Sequence, residues 1–160
     1  MKDIRVGNGF DVHKLKYGNK IKLCGIEIVH DKKLIGHSDA DVGLHSLTDA
    51  ILGALGKGDI GIWFPPEQIK WKGVESKLFL NKAMELMQNE DYFISNIDLT
   101  FICEKPKISN YREQMIKKMS EICNIDSQKI NIKATTSEKL GYTGREEGIA
   151  VLTTVLIYKK

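Results

Sequence analysis

The run GIAVLTTVLIY, residues 148–158, constrains the fold more than any other stretch of the chain. Read as a strand, it points Ile149, Val151, Val155 and Ile157 to one side and Ala150, Leu152, Leu156 and Tyr158 to the other. A strand apolar on both faces has to be covered on both. Helices supply one cover. With 160 residues, enough for one domain with a sizeable core, the other cover is expected to be a neighbouring subunit. The expectation is therefore an α+β fold over residues 1–160, a single domain whose mixed β-sheet carries helices on one face and an oligomer on the other.

The remaining periodicities fit that plan. Short β-rich runs at 3–12 and 20–29, separated by Tyr17–Gly18–Asn19–Lys20, suggest a hairpin. Leu44, Leu47, Ile51, Ala54 and Leu55 form the apolar stripe of a helix from Asp41 to Leu55, which Gly56 and Gly58 end. A second helix is expected over 76–89, with Ser76 as its cap and Phe79, Leu80, Ala83, Met84 and Met87 at helical spacing. Residues 93–103 alternate as a half-buried strand, Tyr111, Met115, Met119 and Ile122 mark a third helix, and Ile130–Thr136 is a further strand.

Composition removes several functions. The net charge of +3 is spread along the chain, which argues for no nucleic-acid partner while leaving the surface hospitable to anionic metabolites. Lys159–Lys160 reads as a frayed end, and KKMSE at 117–121 as a solvated helix face. Cys24, Cys103 and Cys123 are odd in number and form no CxxC pair, so buried free thiols in a reducing compartment are expected. No apolar run is long enough to cross a bilayer, and MKDIRVGNGF lacks the features of a leader. The expected location is cytoplasmic, with no membrane partner.

Chemistry concentrates around the histidines. On a strand, Asp11 and His13 share a face; on a helix, Asp41, His45 and Asp49 are successive i+4 neighbours. Two imidazoles and a carboxylate leave one position of a tetrahedral metal open, so Asp11, His13 and His45 form a candidate catalytic site if strand and helix pack together. Asp49 is placed to orient His45 from behind. Spacing alone leaves zinc and non-haem iron both open. It also leaves open a non-catalytic oligomeric binding module in which the polar stripe supports only subunit contacts.

Other polar segments are less specific. The Gly56–Gly61 segment matches neither nucleotide-loop fingerprint, although Asp59 can accept sugar hydroxyls. Ala134–Thr135–Thr136–Ser137–Glu138–Lys139 leaves a strand with hydroxyls suited to phosphate and an acid suited to a hard cation. Gly7 and Gly9 are expected to let the chain run close to neighbouring backbone or to substrate.

Three segments in order, GNGFDVH (7–13), LIGHSDADVGLHSLTDAILGALGKGDIG (34–61) and KATTSEKLGYTGREEGIA (133–150), closely resemble the 2-C-methyl-D-erythritol 2,4-cyclodiphosphate synthase family. The similarity runs across essentially the whole chain. It implies a homotrimer with active sites between adjacent subunits. It implies Zn²⁺ on Asp11, His13 and His45, and Mg²⁺ or Mn²⁺ held by Glu138 with the substrate phosphates. His37 and Thr136 match transition-state-stabilising residues, and Ser38 matches a residue at the diphosphate and erythritol. Val12, Phe64, Ser137 and Tyr142 fall in its substrate-binding segments, and Asp59, Ile60 and Gly61 match the part that holds sugar hydroxyls. Cys103, Glu104, Lys105, Pro106, Lys107, Ile108 and Ser109 match the cytidine pocket, with Thr135 in the cytidine-diphosphate segment. Arg145 and Glu147 match residues near a cavity on the threefold axis that holds an isoprenoid diphosphate in some members.

The implied activity is that of a phosphorus–oxygen lyase of the non-mevalonate (methylerythritol phosphate) route of isoprenoid biosynthesis. It cyclises 4-diphosphocytidyl-2-C-methyl-D-erythritol 2-phosphate to 2-C-methyl-D-erythritol 2,4-cyclodiphosphate and releases CMP. The chain departs from the family at Pro66–Glu67–Gln68, where acidic residues are usual, and at Glu104 and Lys105, where small or neutral ones are common. The proline is expected to stiffen the loop that closes over substrate.

Overall fold

The last strand is the centre of the molecule. In the computed structural model, which describes residues 3–159, β7 (Gly148–Lys159) lies between β1 (Ile4–Tyr17) and β5 (Tyr92–Ile102). Both neighbours pair with it antiparallel. The sheet extends through β4 (Lys32–Ile35) beside β1 and through β6 (Ile130–Thr135), parallel to β5, giving the order β4-β1-β7-β5-β6. A parallel pair needs a crossover, and α4 (Arg112–Cys123) provides it.

The expected pairing of 3–12 with 20–29 is not what forms. Residues 20–29 make their own hairpin, β2 (Lys20–Leu23) with β3 (Ile26–Val29). Cys24 and Gly25 supply the two positive φ angles, 51° and 82°, that a two-residue hairpin turn requires. β1 continues past residue 12 to Tyr17, and β4 is its edge partner. The frayed end expected of the terminal lysines is not seen at Lys159. Lys159 is held in β7, its N–H donating to the Asp3 carbonyl at 3.0 Å, while Lys160 lies outside the described residues.

Burial alternates as a one-sided helical cover demands. Gly7, Gly9 and Leu15 of β1, together with Ile149, Val151, Thr153, Val155 and Ile157 of β7, are buried beneath the helices. α1 (Val42–Leu55) crosses directly over β1 and β7. The two β1 glycines explain the close crossing. A Cβ at Gly9 would lie 1.8 Å from the Ser46 carbonyl oxygen, and one at Gly7 would lie 1.9 Å from that of Ala50. The close neighbour expected of these glycines is helix backbone.

α1 is capped at both ends. Asp41 accepts from the Leu44 N–H, and Gly56 adopts the left-handed conformation at the C-terminus. α3 (Ser76–Asn89) completes the layer; its cap residue is Glu75, one position before the expected Ser76. Short helices α2 (Ile60–Trp63) and α5 (Gly141–Gly144) carry loop residues. The three cysteines are buried free thiols. Among the described residues, no helix is long and apolar enough to cross a membrane.

The other sheet face is open and greasy. Ile4, Val6, Phe10 and Val12 of β1, Phe93 of β5 and Leu152 of β7 are each 40% exposed or more. On this second face of β7, Ala150 is buried, Leu156 and Tyr158 are half-buried and Leu152 is exposed, so its apolar side chains are only partly covered within the chain.

Candidate active site and metal centre

Three ligand-bearing residues meet where the second half of β1 passes under the first turn of α1. Asp11 and His13 share the helix-facing side of the strand, and His45 comes down from the helix. His13 Nε2 lies 2.9 Å from Asp11 Oδ2 and 3.0 Å from His45 Nδ1, and His45 Nδ1 lies 3.1 Å from the same carboxylate oxygen. Sequence spacing anticipated this meeting, and Asp11, His13 and His45 form the one such cluster among the described residues.

Outer hydrogen bonds decide which nitrogens face inward. His13 Nδ1 lies 3.0 Å from the Ile35 carbonyl, which can only accept, so the ring proton is on Nδ1 and the Nε2 lone pair points to the centre. Behind His45, Ser76 gives its hydroxyl proton to Asp39 Oδ1 and offers an oxygen 2.8 Å from His45 Nε2. That oxygen is then an acceptor, so Nε2 carries the proton and Nδ1 faces inward with its lone pair. Two nitrogen lone pairs and a carboxylate oxygen thus converge at about 3 Å, an arrangement a cation or a captured proton has to reconcile. The donor set and its convergence fit a divalent metal with an open position.

Without a metal, a captured proton does the reconciling. Burial works to raise the Asp11 pKa, but the hydrogen bonds it accepts from His13 and His45 when an imidazole holds that proton outweigh the burial and keep the carboxyl well below the usual carboxylate range. Burial works to lower His13, and its bond and attraction to Asp11 reverse that into a rise.

Asp49 does not orient His45. Its carboxylate accepts from the Ile60 N–H at 2.8 Å and anchors α2 instead. Helical side chains lean towards the N-terminus, so His45 presents its outer nitrogen to Ser38 and Ser76 and away from the following turn. Asp41 is likewise structural: fully buried, it accepts from Cys24, Gly25 and Leu44 amides at 2.8, 2.6 and 3.1 Å. The groups missed by sequence are Asp39 and Ser76. Nothing in their spacing links them, although Asp39 stood beside His37 and Ser38.

Other candidate residues fall into two groups. Near the triad, His37 is exposed, and its carbonyl accepts from Gly73 N–H at 2.7 Å. The Val12 side chain sits on the opposite face of β1 and takes no part in the triad. Asp59 caps α2 by accepting from Ile62 N–H, with Ile60 and Gly61 in that helix. Phe64 packs 4.5 Å from Phe79, whose ring lies 5.7 Å from that of His45. Pro65 to Gln68 closes a turn, and Pro66 fits its second position.

The second group forms a pocket of about 640 Å³ between the 103–109 loop and β6. Cys103, Glu104, Pro106, Lys107, Ile108 and Ser109 line it opposite Thr135 and Thr136. Lys105 turns away to pair with Glu146 at 3.4 Å. Beyond the strand, Glu138 and Lys139 both hold left-handed φ angles, 52° and 62°, which cost non-glycine residues about 1–2 kcal/mol each. Glu104 supports them, its carboxylate accepting from the Ser137 and Lys139 amides at 3.3 Å each. Thr136 Oγ1 reaches Glu138 at 3.4 Å. Tyr142 is exposed on α5, and Arg145 forms a twofold ion pair with Glu147, both contacts 3.1 Å.

Sheet register relates the two groups. Asp11 aligns with Val151, Val151 with Phe101 and Phe101 with Ala134, one row across four strands. Both halves therefore sit at the same end of the sheet, but three strand spacings, roughly 14 Å, separate them.

The chain is similar to known proteins over nearly all of its length. It is 54% identical over 155 residues to the 2-C-methyl-D-erythritol 2,4-cyclodiphosphate synthase of Cereibacter sphaeroides, covering 97% of this chain and 98% of that one. It is also 54% identical to the bifunctional enzyme IspD/IspF of Paracoccus denitrificans over 98% of its length, while spanning only 41% of that longer relative. A solved structure of IspF from Plasmodium falciparum in complex with CDP superposes with a TM-score of 0.87 at 39% identity, covering 98% of this chain and 97% of that one. With the family model matched from residue 4 to residue 158, the chain belongs to the YgbB family, whose close relatives here are 2-C-methyl-D-erythritol 2,4-cyclodiphosphate synthases.

Proposed function

We propose that the protein cyclises 4-diphosphocytidyl-2-C-methyl-D-erythritol 2-phosphate to 2-C-methyl-D-erythritol 2,4-cyclodiphosphate in the methylerythritol phosphate pathway, releasing CMP. The observation that carries this reading is the convergence of Asp11, His13 and His45 lone pairs at the same sheet end as a pocket suited to a nucleoside. Family membership and the CDP complex of a relative support the cytidyl substrate.

In the reaction, an oxygen of the 2-phosphate bonds to the β-phosphorus, the bond from that phosphorus to the CMP oxygen breaks, and CMP takes the electron pair. The nucleophile is already anionic and CMP leaves readily, so no strong general base or acid is required. What the protein must do is fold a flexible polyanion until attacking and leaving oxygens lie in line. Zn²⁺ on Asp11, His13 and His45, with Mg²⁺ or Mn²⁺ at Glu138, supplies charge neutralisation when bound. Thr136, Thr135 and the backbone amides after β6 orient the diphosphate. The 103–109 loop holds the cytidine, and His37 and Ser38 flank the erythritol end.

This reading includes a homotrimer in a cytoplasmic setting. The open apolar face of Ile4, Val6, Phe10 and Leu152 needs a cover, and two half-sites roughly 14 Å apart in one chain are completed economically by a neighbouring copy. An isoprenoid diphosphate near Arg145 and Glu147 belongs to the same reading and is tested by calorimetry with geranyl or farnesyl diphosphate.

The decisive experiment incubates the protein with the cytidyl diphosphate substrate and Mg²⁺, with and without chelator, and follows the phosphorus NMR spectrum. Metal-dependent appearance of CMP and cyclic diphosphate is expected; intact substrate in both samples refutes the reading.

A further inference from the structure

His45 is the ligand whose two nitrogens are most easily exchanged in role, because hydroxyls, which can donate or accept, face its outer nitrogen, whereas a carbonyl faces that of His13. The groups that do hold it come from two other segments. Ser76, the first residue of α3 and fully buried, places its hydroxyl oxygen 2.8 Å from His45 Nε2. Asp39 Oδ1 accepts both the Ser76 hydroxyl proton and the Ser76 N–H, the latter at 3.0 Å. Asp39 Oδ2 is in turn held by Lys22 Nζ at 2.7 Å.

The direction of this chain is fixed by its far end. An ionised carboxylate only accepts, so the serine proton goes to Asp39, and Ser76 can only accept from His45. Ser38 Oγ, 2.9 Å from the same nitrogen, also touches Ser76 and the Ala40 N–H, and its hydroxyl is free to serve in either role. Polarity therefore comes from Asp39 through Ser76.

We infer that Ser76, polarised by Asp39, is a positioning residue that locks His45 in the tautomer with its proton on Nε2 and so keeps Nδ1 available as a metal ligand. The inference rests on the metal-site reading above. The same contacts tie the site to the segment before α3, since Gly73 N–H donates to the His37 carbonyl at 2.7 Å and Asp39 N–H to the Val74 carbonyl at 3.1 Å. Residues 73–76 are thus strapped to residues 37–39, and the strap ends on a ligand.

The test compares wild type, Ser76→Ala and Asp39→Asn. Zinc affinity is measured by competition with a chromogenic chelator, the His45 tautomer by long-range nitrogen-15 NMR on chelator-stripped protein in alkaline buffer, where the captured proton is gone, and folding by thermal melting. In wild type, His45 is expected as the Nε2–H form. In Ser76→Ala, which keeps a good helix former at the first helical position, a mixture of tautomers and about 10–100-fold weaker zinc are expected. Asp39→Asn should move both readings the same way by less. An unchanged tautomer in Ser76→Ala overturns the inference, even where affinity falls, because the serine is then only packing. Unchanged zinc affinity overturns it as well. If wild type takes up no zinc, the cyclase reading falls and the tautomer alone decides the role of Ser76.

Discussion

His13 Nε2 and His45 Nδ1 face each other at 3.0 Å across 32 residues of sequence, and both present lone pairs. With Asp11 completing the triangle, the site is expected to bind one zinc per chain. His45→Ala removes one of three ligands, and turnover should fall by about 100-fold or more with loss of bound zinc. Circular dichroism should stay native, because the apolar stripe of α1 is untouched. Wild-type turnover in that variant without metal would remove the assignment.

Thr136 directly follows β6 and is exposed, its hydroxyl beside Glu138. As a donor to developing phosphoryl charge, it should matter to the transition state more than to the ground state. Thr136→Ala is expected to lower kcat by about 100-fold while KM moves little. A raised KM at constant kcat would make it a binding group only.

Glu104 holds the left-handed backbone at Glu138 and Lys139 through two amides. Glu104→Ala should destabilise the protein by only about 1 kcal/mol, since the segment is exposed. Hydrogen exchange at the Ser137 and Lys139 amides should accelerate, and more Mg²⁺ should be needed for half-maximal rate. Unaltered exchange would show that the loop holds itself.

Gly9 has no room for a side chain: a Cβ would meet the Ser46 carbonyl oxygen at 1.8 Å and the Ala50 nitrogen at 2.7 Å. Gly9→Ala should cost about 3 kcal/mol, because helix backbone cannot yield as a side chain can. Gly56→Ala, with open space but a φ of 68°, should cost about 1 kcal/mol. Urea midpoints of the two variants check the ranking.

Burial works to raise the Asp39 pKa, but the bonds from Lys22 and Ser76 prevail and hold it below its ordinary 3.8. A depressed carboxylate binds fewer protons folded than unfolded in acid. Its stabilisation is therefore present above about pH 4 and lost as the pH falls through the lower folded value. The gap in urea midpoint between wild type and Asp39→Asn should narrow over that window. A gap independent of pH would mean that Asp39 acts through packing alone.

Local pattern carried much of this in advance. Period-two alternation located β5, β6 and β7, and helical spacing located α1, α3 and α4, because burial of one face imposes those periods on any chain. The pair Asp11–His13 was legible for the same reason, and the segment resemblance identified the likeness to the synthase family. Where sequence reading failed, partners lay far apart. Residues 20–29 looked like the mate of β1, yet β1 pairs with β7 some 140 positions away and with β4, while the 20–29 run folds on itself at Cys24–Gly25. Asp49 looked well placed on the helix, but side-chain tilt aims His45 at Ser38 and Ser76.

By itself, then, the sequence determined the elements, the two-faced final strand and three ligands of the right chemistry, all set by local period and residue type. Only the tertiary structure decided that Asp39 and Ser76 polarise His45, that Glu104 braces the loop after β6, and that the triad and the nucleoside-sized pocket stand three strands apart. Those relations come from register and from the distance at which α1 can approach the glycines of β1. Both are set by packing between segments remote in the chain.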